Sequence, residues 1–259
     1  MVESDFEFCK GFFCFMSEEQ SLLIAICTYN EIENLPSLYE ALRISFDKAS
    51  ILIVDDNSPD GTGEWCDETA RSDDRFFVLH REEKAGLGSA SIAGFQYAIE
   101  NNFNQIMTMD GDWSHNPVQA PNVVQKLRSE DAEIAIGSRY VPGGKIFGWP
   151  ATRHWMSFCI NTYARWMIGL RTKDCSSAFR CYSVDLLKRV NFSKIRGMGY
   201  AYLEELLWHA KCHQAKIVEE PIVFTNRIRG KSKINLKEAV RAVWIIFKIG
   251  IGRLFGVRP

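Results

Sequence analysis

Four short apolar runs, separated by helical patterns, constrain the fold of this chain more than any other feature. They lie at residues 22–26, 50–54, 76–79 and 106–109. The first two are nearly continuous and rich in β-branched residues, which is typical of buried strands. Leu35, Leu38 and Leu42 recur at helical spacing after the first run, and residues 88–100 favour a helix before the last. This alternation predicts an α/β fold with a doubly wound, mostly parallel sheet and helices on both faces.

The length of the chain suits a single large domain. At 259 residues it can bury a sizeable core as one α/β domain or as two small ones, and we favour one. A composition of 46% hydrophobic and 24% charged residues fits an ordinary globular protein and argues against a disordered or fibrous one. Pro36 suits the first turn of the first helix, and Asn34 is its predicted N-cap.

Two carboxylates, Asp110 and Asp112, flank Gly111 directly after the fourth apolar run. If that run is a parallel strand, its carboxyl end lies at the edge where open α/β sheets bind ligands. Mg²⁺ or Mn²⁺ at such an edge needs only one or two carboxylates, together with phosphate oxygens and water. A metal-bound nucleotide diphosphate is the natural ligand. The alternative is a solvated turn, since Asp and Gly are common turn residues.

Polar residues also follow the first two strands. Tyr29 lies in the first of these clusters, and Asp56 lies in the second. Tyr29 is a candidate to stack on a nucleobase, and Asp56 to accept hydrogen bonds from a base or ribose. Each has a turn or cap role as its alternative. A glycine-rich dinucleotide motif after the first strand and a P-loop are both absent from the sequence, so those nucleotide-binding classes are disfavoured.

The charge of the chain is uneven. Residues 226–259 contain nine Lys or Arg and the single acid Glu238, a balance of +8, whereas the whole chain carries −1. Apolar residues recur in this tail at helical spacing: Leu236, Val240, Val243, Trp244, Phe247, Ile251 and Leu254. The pattern predicts a basic amphipathic helix on a membrane surface, with packing on the sheet as the alternative. Residues 149–170, rich in aromatics, are a second candidate for this surface.

The cysteines and the longest apolar stretches indicate the cellular compartment of the protein. Eight scattered cysteines without a Cys-x-x-Cys pair predict buried reduced thiols and a cytoplasmic protein. No uncharged stretch of 18 residues is present, so we expect no transmembrane helix. We predict an N-terminal extension at residues 1–20, a folded domain at 21–234 and the basic helix at 235–259.

Motifs in the same order and at the same spacing as in a known family run from about residue 22 to residue 234. The first half contains Thr28-Tyr29-Asn30-Glu31, Val54-Asp55-Asp56, Gly86-Leu87-Gly88 and Asp110-Gly111-Asp112. The second half contains Gly137-Ser138-Arg139-Tyr140, Gly148-Trp149 with Arg153, Ala178-Phe179-Arg180, and Arg227 followed by Gly230 and Ser232-Lys233. The chain resembles the family 2 inverting glycosyltransferases, and among them the dolichyl- or polyprenyl-phosphate mannose synthases without transmembrane helices.

The resemblance implies a glycosyltransferase-A type fold and a nucleotide pocket. The residues implied at that pocket are Thr28, Tyr29, Glu31, Val54, Asp56 and Gly86. Arg227 and Lys233 lie in the motif that closes over the diphosphate in relatives, and Gly230 gives that loop freedom to fold down.

The resemblance also implies a metal site and an acceptor site. Asp110 and Asp112 hold the cation, with Ser114 where some relatives have Gln as a third contact. Arg139 and Arg153 bind the acceptor phosphate, and Ser138 is a supplementary donor. Arginine forks are well suited to gather an anionic nucleophile.

The mechanism implied is a single displacement that inverts the anomeric carbon. A phosphate monoester has a second pKa near ~6 and is largely dianionic at neutral pH, so no general base is needed. Glu204 and Glu205 lie where enzymes with hydroxyl acceptors keep a base, and either residue is an alternative candidate for that role.

The sequence therefore predicts transfer of a hexose, with mannose from GDP-mannose favoured, to polyprenyl or dolichyl phosphate. UDP-glucose as donor, a saccharide hydroxyl as acceptor, and a non-catalytic nucleotide-sugar-binding protein remain as alternatives. The expected partners are a nucleotide sugar, a polyprenyl phosphate, the cytoplasmic face of a membrane and small membrane helper subunits, and no nucleic acid.

Overall fold

A computed structural model of the protein describes residues 21–197, 199–226 and 236–256, without the side chains of residues 236–239. The predicted N-terminal extension at residues 1–20 lies outside the described residues. So does the segment 227–235, which contains Arg227 and Lys233.

Nine strands are found in the described part of the chain. They are β1 (Leu22–Thr28), β2 (Ser50–Asp55), β3 (Phe76–His80), β4 (Gln105–Asp110), β5 (Ile134–Ser138), β6 (Lys145–Phe147), β7 (Arg180–Ser183), β8 (Ile217–Pro221) and β9 (Val223–Thr225). All four strands expected from the apolar runs are confirmed, each extended by one or two residues.

The α-helices of the described chain alternate with these strands. They are α1 (Leu35–Ser45), α2 (Thr62–Ser72), α3 (Leu87–Glu100), α4 (Ala120–Ser129), α5 (Ala151–Ile168), α6 (Val184–Arg189), α7 (Tyr202–Cys212) and α8 (Leu236–Leu254). Pro36 lies in the first turn of α1, as expected. The side chain of Asn34 does not cap α1. Its Nδ2 donates instead to Oε2 of Glu31 at 2.9 Å.

Seven strands form one sheet in the order β3-β2-β1-β4-β7-β5-β8. Every pairing is parallel except those of β7, which runs antiparallel between β4 and β5. A doubly wound, mostly parallel sheet is therefore confirmed. The sequence did not predict β5, β7 and β8 of this sheet, of which β7 is antiparallel. β6 and β9 pair in parallel as a separate two-stranded sheet.

The two faces of the sheet bury separate cores, because side chains alternate along each strand. In β1, Leu23 and Ala25 face a core that includes Phe95 of α3 and Leu206 of α7. The alternate residues of β1 face a second core, which Leu38 of α1 and residues of α4 complete. Helices therefore cover both faces, and the strand ends remain open at one edge.

Helices α5 and α8 pack against each other and expose aromatic side chains. Exposed residues on α5 are Trp155, Met156, Phe158 and Trp166, and those on or after α8 include Val243, Trp244, Phe247, Leu254 and Phe255. Arg253 Nη1 donates to the Met167 carbonyl at 3.2 Å and so joins α8 to the end of α5. No helix within the described residues is long and apolar enough to cross a membrane.

Three of the described cysteines match the expectation of buried reduced thiols. Cys66, Cys175 and Cys181 are buried, and burial raises the pKa of Cys66 and of Cys181 to about 12. Cys159 departs from the expectation of buried thiols because its position on α5 faces solvent.

Candidate active site

Strands β1, β2 and β4 end together at one edge of the sheet. Cys27 of β1 lies opposite Val54 of β2 on one side and Asp110 of β4 on the other. A cavity of about 420 Å³ opens at this edge. Its lining includes most residues predicted for the nucleotide and the metal: Thr28, Tyr29, Glu31, Asp56, Gly86, Asp110 and Asp112.

Val54 does not line this cavity. It is fully buried in the sheet core, because it lies inside β2 rather than at its end. Any effect of Val54 on nucleotide binding is therefore indirect. Its neighbour Asp55 is also buried and accepts hydrogen bonds from Thr28 Oγ1 at 2.9 Å and from the Ser58 amide at 3.0 Å. Asp55 thus fixes the two loops that bear Tyr29 and Asp56.

Asp56 faces the cavity and is paired with an arginine. Arg81 Nη1 donates to Asp56 Oδ1 at 2.6 Å, and its Nη2 donates to Ser89 Oγ at 2.6 Å. Burial raises the pKa of Asp56 above its ordinary value, although the Arg81 charge opposes the shift. The pairing holds this carboxylate in place at the cavity wall.

An aromatic ring and a helix N-terminus form the opposite wall. The Lys84 ammonium lies over the Tyr29 ring, 3.8 Å from the ring centre, and both residues line the cavity. Gly86 precedes α3 with φ +94°, a backbone conformation that favours glycine. The N-terminal end of a helix attracts negative charge, so this wall suits a phosphorylated ligand.

The acidic motif is held by its own loop. Oδ1 of Asp112 accepts from the Ser114 amide at 3.0 Å, and Trp113 between them has φ +64°, which is uncommon for a bulky residue. Nδ1 of the buried His115 accepts from the Asp110 amide at 3.1 Å. Burial lowers the pKa of His115, so the ring is a neutral acceptor that fixes the backbone of Asp110.

Asp110 and Asp112 fit a divalent cation that also binds a substrate. No cluster of three or more His, Cys, Asp or Glu suited to a metal occurs among the described residues. Mg²⁺ in proteins is commonly bound by one or two carboxylates, and phosphate oxygens and water fill its remaining coordination positions. Ser114 is buried and lines a neighbouring cavity rather than the first one.

A second cavity, of about 410 Å³, adjoins the first. The two share Asp110 and Tyr200, so the acidic motif lies between them. The wall of the second cavity is mostly apolar but contains Arg139, Arg153, Trp149, Ser176 and Glu204. An anionic group bound in the second cavity would therefore lie close to Asp110.

Arg153 lies in this cavity beside an aromatic ring. Its guanidinium is 4.2 Å from the centre of the Trp149 ring, and its Nη1 donates to Asn226 Oδ1 at 3.1 Å. The indole Nε1 of Trp149 is buried and has no hydrogen-bond partner among the described residues. The cavity therefore presents a cation and a hydrogen-bond donor side by side.

Arg139 is held more tightly than the sequence suggested. Its Nε and Nη2 each donate to a different carboxylate oxygen of the fully buried Asp174 at 2.7 Å, and Nη2 also donates to Ser176 Oγ at 2.8 Å. Although burial alone would raise the pKa of Asp174, the Arg139 charge and hydrogen bonds hold it below its ordinary value. Ser138 is fully buried at the end of β5, and it lines neither cavity formed by the described residues.

The two neighbouring glutamates on α7 have different surroundings. Oε2 of Glu205 accepts from the amides of Arg196 and Gly197 at 2.9 and 2.8 Å, which is a structural role. Glu204 lines the second cavity, and burial raises its pKa to about 7.

Several residues at the two cavities were not assigned there from the sequence. Tyr200 borders both, and Arg241 of α8 lines the first, although the sequence reasoning treated it as tail charge. Arg81 follows β3 at the same sheet edge, a position from which its proximity to Asp56 was predictable. No role was assigned to Asp174 from the sequence, because a single acid in a loop has no periodic pattern.

The chain is similar in sequence to known proteins. The glycosyl transferase family 2 model matches residues 23–190. The undecaprenyl-phosphate mannosyltransferase of Micrococcus luteus is 40% identical over 214 residues, covering 83% of this chain and 87% of that protein. The polyprenol monophosphomannose synthase of Mycolicibacterium smegmatis is 39% identical over 237 residues, covering 91% and 89%.

Solved structures confirm the fold. Glucosyl-3-phosphoglycerate synthase from Mycobacterium tuberculosis, crystallised with Mn²⁺, UDP and glucosyl-3-phosphoglycerate, aligns with a TM-score of 0.63 at 16% identity. The alignment covers 93% of this chain and 84% of the other. The alignment confirms the predicted glycosyltransferase-A type fold. The family match and the two curated relatives confirm the glycosyltransferase class, so the hypothesis of a non-catalytic protein is set aside. On the family match and the two relatives at about 40% identity, the chain belongs to glycosyl transferase family 2.

Proposed function

We propose that this glycosyltransferase transfers a hexose from a nucleotide sugar to polyprenyl monophosphate, with GDP-mannose as the preferred donor and with inversion of the anomeric carbon. The observation that carries the proposal is the junction of two cavities at Asp110. A donor in the first cavity and an acceptor in the second would meet there. The names of the two curated relatives support the polyprenyl phosphate and the mannose.

The first cavity would hold the nucleotide. Tyr29 offers an aromatic face for the base, and Asp56 offers a carboxylate that Arg81 holds in place. The N-terminal end of α3 at Gly86 suits the diphosphate. Arg227 and Lys233, which lie outside the described residues, remain predictions for closure over this group.

Asp110 and Asp112 would hold Mg²⁺ or Mn²⁺ against the diphosphate. A cation bound there would stabilise the negative charge that develops on the departing nucleoside diphosphate. His115 and the Ser114 amide keep the two aspartates oriented, so little reorganisation is needed when substrate binds.

The second cavity would hold the acceptor phosphate. Arg153 supplies a positive charge, and Trp149 Nε1 supplies a donor without another partner among the described residues. Arg139 is largely neutralised by Asp174, so its expected part is to shape the pocket as well as to attract the anion. Because the phosphate is already largely dianionic, it can attack the anomeric carbon directly, and one displacement inverts that carbon.

The lipid chain would enter from a membrane. Helices α5 and α8 pack against each other, and their exposed aromatic residues form the candidate membrane surface. Both helices also contribute residues to the second cavity. Trp244 stacks with Phe247 at a centroid distance of 5.6 Å, and the Lys248 ammonium lies 5.3 Å from the Trp244 ring. Aromatic rings with adjacent cations suit the headgroup region of an anionic leaflet. We therefore place the enzyme on the cytoplasmic face of a membrane, with helper subunits as further candidate partners.

A hydroxyl acceptor is the second candidate, and Glu204 favours it. A buried carboxyl with a pKa of about 7 in the acceptor cavity has the properties of a general base. UDP-glucose remains the alternative donor, because the described residues that line the two cavities do not distinguish guanine from uracil.

The test is an incubation of the purified chain with a panel of nucleotide sugars, Mn²⁺ or Mg²⁺, and either polyprenyl phosphate or the matching polyprenol. Mass analysis of the lipid identifies the product. We expect a hexosyl polyprenyl phosphate from GDP-mannose, its β anomer by NMR, and no product from polyprenol. Glycosylation of polyprenol, or of neither lipid, would contradict the proposal.

A further inference from the structure

Glu204 has an unusual position for an acid. It lies in the first turn of α7, is only 3% exposed, and lines the second cavity beside Leu203. Its side chain is hydrogen-bonded to its own backbone amide. Oε2, by contrast, is buried and has no hydrogen-bond partner among the described residues. Buried polar atoms of folded proteins almost always have a partner, so this oxygen indicates a ligand.

The charge of Arg180 stabilises the buried Glu204 carboxylate, although Arg180 donates no hydrogen bond to Oε2. Arg180 is fully buried and donates to the carbonyls of Leu203 at 3.0 Å and Cys175 at 2.6 Å. Its charge favours the ionised form of Glu204, against the cost of burial. The carboxyl is therefore fixed by surrounding protein in the cavity wall, and its Oε2 still lacks a hydrogen-bond partner among the described residues.

The position of the cavity restricts what that ligand can be. A nucleotide sugar whose diphosphate lies at Asp110 must direct its sugar across the junction into the second cavity. The acceptor phosphate, proposed at Arg153 in the same cavity, would not pair with the Glu204 carboxylate, because like charges repel, whereas a sugar hydroxyl can donate to it. The apolar wall at Leu203 suits the carbon face of a pyranose.

We propose that Glu204 binds a hydroxyl group of the transferred hexose and so selects the sugar of the donor. This inference rests on the proposed function, because it assigns a residue to the donor sugar of the same reaction. It differs from the general-base alternative in what Glu204 does: it accepts a hydrogen bond from the sugar and takes no proton from the acceptor.

Two substitutions separate these roles. Glu204→Gln keeps a hydrogen-bonding oxygen of similar size, and Glu204→Leu removes it. Glu64→Leu is the matched control, because Glu64 is an exposed acid in the first turn of α2. The substrates are GDP-mannose and its 2-, 3-, 4- and 6-deoxy analogues, with polyprenyl phosphate and Mn²⁺, and isothermal titration measures the affinity for GDP with Mn²⁺.

The wild type should discriminate against one deoxy analogue by about 10- to 100-fold in kcat/KM, the range expected for one hydrogen bond to a charged group. Glu204→Leu should lose a similar factor with GDP-mannose and no longer discriminate, while the affinity for GDP stays unchanged. Glu204→Gln should remain within about 10-fold of the wild type, and Glu64→Leu should match it.

Three results would overturn the inference. If Glu204→Gln abolishes turnover, the residue acts as a base. If Glu204→Leu discriminates against the deoxy analogue as the wild type does, another residue binds that hydroxyl group. If Glu204→Leu does not fold, the wild type and Glu204→Gln suffice for the test. A wild type that uses GDP-mannose and all the deoxy analogues at equal rates would also contradict the inference. A wild type that transfers no sugar from any donor would instead overturn the proposed function itself.

Discussion

Replacing Asp174 with Asn should lower the free energy of unfolding by about 3–5 kcal/mol, the usual cost of removing one partner of a buried ion pair. Asp174 is fully buried and accepts from Nε and Nη2 of Arg139 at 2.7 Å each, and from the Arg139 amide at 3.0 Å. Asn presents a single acceptor oxygen and no charge. The buried guanidinium would then lack its counter-charge.

Asp185→Asn is the matched control. The Asp185 side chain is 85% exposed and pairs with Lys188 at 2.9 Å. Exposed pairs of this kind contribute only about 0–1 kcal/mol. Urea unfolding at pH 7, followed by circular dichroism, measures both variants against the wild type. Equal destabilisation by the two substitutions would refute the view that the Arg139–Asp174 pair organises the acceptor site.

The pH dependence gives a second check. Because the pKa of Asp174 is lowered in the folded state, its stabilising effect is present above the unfolded-state value near ~3.9 and is lost as the pH falls through the folded value. The difference between wild type and Asp174→Asn should therefore stay constant from pH 8 to about 5 and shrink below about 4. A difference that grows on acidification would contradict this reasoning.

Three further predictions concern the site and the membrane. Asp112→Asn should reduce transfer at least about 100-fold and abolish the dependence of GDP affinity on Mn²⁺, measured by calorimetry; an unchanged metal titration would contradict it. Arg153→Ala should raise KM for polyprenyl phosphate about 10-fold or more with little change for GDP-mannose, in steady-state assays; equal changes would count against its role. Trp166→Ser with Trp244→Ser should weaken binding to anionic vesicles at least about 10-fold in sedimentation assays, because each exposed ring would lose apolar burial. Ile44→Ser, on the exposed side of α1, is the control. If it weakens vesicle binding as much as the double tryptophan variant does, the assignment of α5 and α8 to the membrane surface is refuted.

Much of the parallel sheet could be predicted because local sequence determines it. The apolar runs at β1, β2 and β4 are continuous, and parallel pairing brings their ends to one edge by topology alone. Tyr29, Asp56 and Asp110 were therefore placed at one site without knowledge of the structure. β7 was missed, because a four-residue strand with a buried Arg180 carries no alternation that a pattern can detect.

Contacts between distant segments could not be read from the sequence. The pairing of Arg139 with Asp174 joins residues 35 positions apart, and Arg153 meets Asn226 across 73 positions. Likewise, Arg241 was counted as surface charge, since only the packing of α8 brings it to the nucleotide cavity. Such contacts depend on the final fold rather than on local periodicity.

The measurement that tests the account most directly is a crystal structure with GDP, Mn²⁺ and a short-chain polyprenyl phosphate. We expect the diphosphate and the cation to lie at Asp110 and Asp112, and the acceptor phosphate to lie in the adjoining cavity beside Arg153. A lipid phosphate bound elsewhere, with the second cavity closed to it, would contradict the central claim that the two cavities bring donor and acceptor together.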